Sequence, residues 1–428
     1  MKMKKTILES IKIAIDTVDW ATPTIKANAY DLCMNIYGLY MRDGGDFYTW
    51  RRLSAEYFKT IIKTSTSRHI VRTKLLEVGI LENLPTYSVE NGKGKPYRFT
   101  NDILNSEKWT HYIGKDKKGG CEIPIPIETW LSNLTFDPKV WKWVREYSIT
   151  PADIKVDWNI TDTHMYILVE GKEDKARFKK SSAIELAKKE GKSLIKFRKS
   201  FYIEDIDTFL QRKTSDIRKI YTGYINQIQN GSFRVSRNDT NKRLDYNITN
   251  MKSELLDYLL YNGEKLIELD ISNCQFSILA NMSDELDSDY IKLASEGKLY
   301  QYIADTLKIT KAEAKDYMFR ICFDKVKAEQ DIIRNLFPKT MKWVDKWKNT
   351  NGWKNFSILL QNTESNIMID GLSKRLYEKG YVVFPIHDAF RVPGSNKEEI
   401  YREIINYFEE IDFKCDIRVK NQKTVLEK

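Results

Sequence analysis

The sequence predicts an α+β chain, and three observations carry that prediction. Two apolar runs rich in β-formers, Leu-Ile-Glu-Leu-Asp270 and Val-Val-Phe-Pro-Ile-His387-Asp388, read as strands that each end in a carboxylate. Segments such as 201–230 and 311–323 place apolar and aromatic side chains at helical spacing. Residues 51–100 read as helix, turn, helix and then a basic hairpin. A buried strand that ends in Asp must offset the cost of desolvating a charge, usually with a metal or a cation. Two such strands side by side would aim two carboxylates at one site, the arrangement that holds two divalent ions about 3.5–4 Å apart for in-line displacement at phosphorus.

At 428 residues the chain has length for about three domains. Its net charge of +10 is unevenly spread: residues 251–428 hold 27 Lys and Arg against 29 Asp and Glu, and residues 1–250 hold 43 against 31. The basic excess therefore lies in the first 250 residues and the carboxylate strands in the remainder. A polyanion grip joined to an acidic metal site fits this pattern, and so does a Lys-rich solvated surface. No apolar run is long enough to span a bilayer, so neither a transmembrane helix nor a membrane partner is expected. Met-Lys-Met-Lys-Lys at the start has the charge of a signal segment, but Glu9 and Asp16 interrupt the stretch after it, which reads as an amphipathic helix. Cys33, Cys121, Cys274, Cys322 and Cys415 are odd in number and scattered, which argues against a disulfide framework or a zinc site and for a reducing, cytoplasmic setting. The four histidines are equally scattered, which removes most His-based metal sites.

Residues 1–45 read as one or two helices, with Tyr and Leu at helical spacing through Ala29–Tyr40. Ser54 starts a short helix over Ala55–Ile62, and a second runs over Ser67–Glu77 until Gly79 ends it. Leu84–Glu90 and Pro96–Thr100 then read as two strands around Asn91-Gly92-Lys93-Gly94-Lys95. Helix, turn, helix and a two-stranded wing with a Lys tip resembles a winged-helix DNA-binding domain over residues 1–105. That resemblance makes Arg68, Arg72, Lys93 and Lys95 candidates for DNA contact. A small helical subdomain with a solvated basic face is the plain alternative.

Residues 106–200 are expected to be helical and packed around Trp130, Trp141, Trp143 and Trp158, with Glu170–Lys199 a charged helical stretch. Nothing there resembles an exonuclease carboxylate set. Residues 201–261 read as a thumb-like amphipathic helix, with Ile203, Ile206, Phe209, Leu210, Ile217 and Ile220 on one side, followed by a template-contact segment. The remaining residues, 262–428, contain both Asp-ended strands.

Three segments within those last residues carry the chemistry. Asp270-Ile-Ser-Asn-Cys-Gln275-Phe-Ser-Ile-Leu-Ala-Asn-Met-Ser283, within 268–283, resembles motif A of family A DNA polymerases, Asp-Tyr-Ser-Gln-Ile-Glu-Leu-Arg followed by a helix. Lys311, Lys315, Phe319 and Phe323, at steps of four that share one helix face, resemble motif B over 311–323. Ile386-His387-Asp388, within 384–391, resembles motif C. Leu360-Gln361-Asn-Thr-Glu-Ser-Asn and Arg243-Leu-Asp-Tyr-Asn-Ile-Thr-Asn250 resemble two further segments of that family, in the family's order. The resemblance covers about residues 231–428.

It implies a right-hand polymerase with an antiparallel palm sheet, reduced fingers and a helical thumb, without an exonuclease domain. Asp270 and Asp388 would ligate two Mg²⁺ ions, for which Mn²⁺ could substitute, with the backbone carbonyl of Ile271 as a further ligand. Lys315 would contact the triphosphate and protonate the leaving pyrophosphate, with Lys311 assisting. Phe319 would pack on the nucleotide base or sugar, Phe323 would lie near the templating step, Gln275 at the sugar, and Arg243, Asn250, Gln361 and His387 at the primer–template junction. The partners implied are a DNA primer–template and nucleoside triphosphates, in phage or mobile-element replication in the cytoplasm of a bacterial host.

Departures from the family pattern leave alternatives open. Motif A's Glu is Gln275, motif B's Tyr is Phe323, and motif C's second carboxylate is Ala389. The uncharged sugar gate leaves an RNA polymerase or primase-like activity beside the DNA polymerase reading. A replication-initiator protein that binds DNA without catalysing is the reading from another class.

Overall fold

The computed structural model describes residues 3–42, 50–84, 95–104, 108–114, 121–158, 164–169, 176–198, 200–324 and 331–420. The chain divides into two compact units, one formed by Met1–Lys117 with Pro138–Ser232 and the other by Lys118–Asp137 with Phe233–Lys428. Both mix helices with mainly antiparallel strands, so the α+β class holds.

In the first unit, strand Met3–Leu8 pairs antiparallel with Trp109–Gly114. This corrects the helical reading of the first residues. Thr6, Ile7 and Leu8 are buried against the rest of the unit, and the helix begins only at Glu9. After helix Pro23–Arg42 come strand Arg51–Leu53, helices Ala55–Ile61 and Ser65–Glu77, and strands Leu81–Asn83 and Lys95–Phe99. Ser54 Oγ accepts from the Tyr57 N–H at 3.0 Å and so starts the first of these two helices. Gly79, at φ 68°, turns the chain after the second. The three strands form an antiparallel sheet with Lys95–Phe99 in the middle. Strand pairing begins at Leu81, which faces Phe99, rather than at the expected Leu84. The expected strand residues 85–90, like Lys93, lie outside the described residues.

Residues 154–204 correct the reading of 106–200 as helical. Five strands run in the order Ile154–Val156, Ser193–Phe197, Ser200–Glu204, His164–Val169, Ala176–Lys179, with helix Lys180–Lys189 packed on one face. The abundant lysines concealed an alternation of period two: Phe178 packs inward while Arg177 and Lys179 are exposed. Among the described residues of the charged stretch only Lys180–Lys189 is helical, burying Ala183 and Ala187. Helix Ile206–Gln229, capped by Asp205, belongs to this unit, whereas residues 233–261 belong to the other. The expected region 201–261 is thus divided between the two.

The second unit is built on a curled antiparallel sheet. Strand Glu264–Ile271 is its hub: Ala389–Pro393 lies on one side, and on the other Leu259–Tyr261 meets its beginning and Ile417–Lys420 its end. Phe384–Ile386 extends the sheet past Ala389–Pro393, and Leu134–Phe136 extends it past Leu259–Tyr261. Asn262 and Gly263, both at positive φ, make the two-residue turn that leads into the hub strand. Around the sheet pack helices that include Cys274–Ala280, Leu299–Leu307, Lys311–Phe323 and Pro338–Asn351. Trp353–Ser365 continues through a π-helical stretch, Asn366–Ser373, into Lys374–Glu378. No helix among the described residues is long and apolar enough to cross a membrane.

Candidate active site

Strand pairing brings the two Asp-ended segments together. Register places Asp270 opposite Ala389 and Glu268 opposite Arg391. His387 and Asp388 form the two-residue turn between Phe384–Ile386 and Ala389–Pro393, with His387 at φ 55°. The Ile271 N–H donates to the Asp388 carbonyl at 3.0 Å, tying the turn to the end of the hub strand. Burial pushes the Asp388 carboxyl up to about 6, with the carboxylates of Glu364 and Asp270 adding to the shift. Desolvation of the ring, and then the Arg243 guanidinium, hold His387 below its ordinary value.

A second layer of charge supports this pair. Arg391, 4 % exposed, bonds Glu268 Oε2 at 2.7 Å and the Leu256 carbonyl at 3.0 Å. Lys420 Nζ lies 3.0 Å from Glu268 Oε1 and 2.8 Å from Asp270 Oδ2. Burial works against ionised Glu268, but Arg391 and Lys420 together hold it below its usual range.

Glu364 is the third carboxylate at this place, and its role was not read from the sequence. It is 2 % exposed and receives a two-pronged bond from Arg243, Nε at 2.8 Å and Nη2 at 2.9 Å. Gln275 Nε2 donates to the same carboxylate. Its signal lay in phase: Phe356, Leu360 and Glu364 follow one another at steps of four on the buried stripe of a helix. An acid in an apolar stripe requires a cationic partner. Arg243, Glu364 and His387 also line a small cleft together with Leu244, Ser365, Ile369 and Pro385.

The other expected site residues fall around this centre. Phe276, on the first turn after Asp270, meets Phe319 edge-on at 5.8 Å, joining the 274–280 helix to the 311–323 helix. Phe319 stacks on Phe323 at 5.5 Å with an 11° tilt, and Lys315 Nζ lies 5.7 Å from the Phe319 ring. Lys311 and Lys315 are exposed. Thr310 and Glu313 form a capping box at the helix start, and buried Lys348 donates to the Asp324 carbonyl at 2.8 Å beyond its end. Gln361 accepts from Asn241 at 3.1 Å, and Asn250 donates to Asp245 at 2.6 Å, so both amides brace the 238–250 segment. In the first unit, Arg68 donates to the carbonyls of Ile62 (2.9 Å) and Lys63, closing the preceding helix. The Arg72 guanidinium lies near the Tyr97 hydroxyl, and Lys95 is exposed.

No protein-family model matches the chain, and no curated protein matches it. Among the described residues no group of three or more His, Cys, Asp or Glu side chains is arranged to hold a metal ion. The Asp270–Asp388 pair nonetheless suits Mg²⁺, a hard cation that binds through one or two carboxylates and takes its other ligands from water and substrate phosphates. Burial is the main cause of the raised Asp388 carboxyl, and the neighbouring Glu364 and Asp270 carboxylates that add to it are the negative charge a divalent cation would offset.

Proposed function

We propose that the chain is a template-directed nucleotidyltransferase, a DNA polymerase that extends a primer on a DNA template. The observation that carries this reading is the pairing of the Asp270 strand with the Asp388 turn. It is supported by the contact between Phe276 and Phe319, which joins the segments resembling motifs A and B. Asp270 and Asp388, with the Ile271 carbonyl, would hold two Mg²⁺ ions, or Mn²⁺ in their place. Bound there, the ions would polarise the phosphoryl oxygens.

The chain's own residues supply positioning and charge. Lys311 and Lys315 grip the triphosphate, and Lys315 gives a proton to the departing pyrophosphate. The Phe319–Phe323 stack forms a floor for the incoming base. Gln275 faces the sugar, while Arg243, Asn250, Gln361 and His387 frame the primer–template junction. Such a transfer is accelerated mainly by positioning the reactants and stabilising the charge that develops on the phosphoryl group. The helix–strand–helix–helix–strand–strand order over residues 23–99 supports a winged-helix-like DNA grip in the first unit.

One observation favours ribonucleotides as a second reading. Gln275 presents a neutral amide bonded to Glu364, and Phe323 has no hydroxyl. Primer extension with dNTPs and rNTPs in parallel tests both, with Asp270→Ala and Asp388→Ala as controls. Extension abolished by either substitution while DNA binding survives is the expected result. A strong rNTP preference would overturn the DNA polymerase reading. Absence of any incorporation by the unsubstituted protein, with DNA binding retained, would favour a non-catalytic initiator.

A further inference from the structure

We infer that the open face of the five-stranded sheet in the first unit binds single-stranded nucleic acid. His164–Val169 and Ala176–Lys179 pair so that His164 faces Lys179 and Tyr166 faces Arg177. The intervening side chains Met165, Ile167 and Phe178 turn to the opposite face, where helix Lys180–Lys189 covers them. The four polar or aromatic side chains therefore share one surface, as two directly opposed pairs whose Cβ atoms stand about 5 Å apart.

Tyr166 is 63 % exposed, so its ring is no part of the core. Neither strand carries an acidic residue. Further in, the same face is closed by helix Ile206–Gln229: Phe209 packs 4.9 Å from the Tyr202 ring, and Lys213 Nζ lies 5.1 Å from it. On the other side Ala176–Lys179 is the last strand of the sheet among the described residues.

An exposed ring held on a rigid strand, with cations directly opposite and beside it, matches a nucleic-acid strand chemically. A base stacks on Tyr166 while Arg177 and Lys179 meet the flanking phosphates. The strand must be single, because the ring can stack only on a base face that the stacked base pairs of a duplex do not already cover. The Asp270–Asp388 site belongs to the other unit.

The test uses the full chain and oligonucleotides carrying 5-iododeoxyuridine or 5-iodouridine, cross-linked by ultraviolet light and mapped by mass spectrometry. An adduct on Tyr166 is expected, and it should persist in the Asp270→Ala/Asp388→Ala protein. In fluorescence anisotropy with labelled dT12 and U12, Tyr166→Ala should weaken binding at least about 5-fold, while Tyr166→Phe binds as the parent does. Arg177→Ala/Lys179→Ala should make the log–log salt slope shallower by about 1.4. The DNA and RNA arms show which strand is preferred. Adducts confined to residues outside 164–179, with affinity and slope unchanged in the variants, would overturn the proposal. So would a poly-glutamate peptide binding here in place of the oligonucleotides, which would assign the face to acidic protein segments.

Discussion

The amide of Ile271 donates to the carbonyl of Asp388 at 3.0 Å, and this bond fixes two carboxylates from distant parts of the chain at one corner of a sheet. Because the bond is between backbones, it survives replacement of either side chain. Substitutions at Asp270 and Asp388 should therefore leave this backbone link in place and act through the charge they remove.

The pH dependence of stability is tied to Asp388. Its carboxyl is raised from 3.8 to about 6 in the folded protein, so the native state binds the proton more tightly than the unfolded chain does. In metal-free protein this tighter proton binding favours folding below about pH 4, and the benefit is lost as pH rises from about 4 to about 6. Asp388→Asn removes the dependence. Its melting temperature should match the parent near pH 4 and exceed it at pH 7, by the equivalent of about 1–3 kcal/mol. Equal melting of the two proteins at both pH values would refute the assigned environment.

Gln275 and Glu364 form a matched pair, since two carboxylates cannot share that buried position without one taking a proton. Gln275→Glu should lower the melting temperature by several degrees at pH 7 and recover part of the loss near pH 5. Glu364→Gln strips Arg243 of its counter-charge and should cost about 2–3 kcal/mol, discounted because Arg243 is a quarter exposed. The exchange Gln275→Glu/Glu364→Gln should be more stable than the sum of the single changes. A double-mutant cycle with no coupling would contradict the contact.

Lys420 places its ammonium 2.8 Å from Asp270 Oδ2, where a divalent cation would compete with it. Lys420→Met should tighten Mn²⁺ binding by up to about 5-fold, the scale of a half-exposed ion pair. Titration followed by electron paramagnetic resonance reads this directly. A weakened affinity would mean that Lys420 orients Asp270 rather than competing for it.

Gly371 sits in the π-helical stretch against Tyr407, whose hydroxyl occupies the place a Cβ would take. Gly371→Ala should cost about 1–3 kcal/mol through overpacking. Tyr407→Phe in the same chain should restore only part of it, because the ring carbon Cζ would still stand 2.7 Å from that Cβ. Chemical denaturation of the two variants is the measurement, and an unaffected Gly371→Ala protein would be the contrary result.

Legibility tracked the range of the physics. The hub strand Glu264–Ile271 and the helix Lys311–Phe323 were readable because apolar runs and steps of four are local patterns. The Lys315–Phe319–Phe323 face was readable for the same reason. The strand at 176–179 was not, because the basic side chains on its exposed side imitate a charged helix. The N-terminal strand Met3–Leu8 was missed because it is stabilised by a partner more than 100 residues away.

The residue types able to carry chemistry were written along the chain: two aspartates at strand ends, and two lysines and two phenylalanines on one helix face. Which partners those groups meet was settled only by long-range packing. Strand register set Ala389 against Asp270, the burial of Glu364 made Gln275 and Arg243 its partners, and the last strand delivered Lys420 to Asp270. Pairing energies depend on distance and desolvation, and both are set only when distant segments pack together.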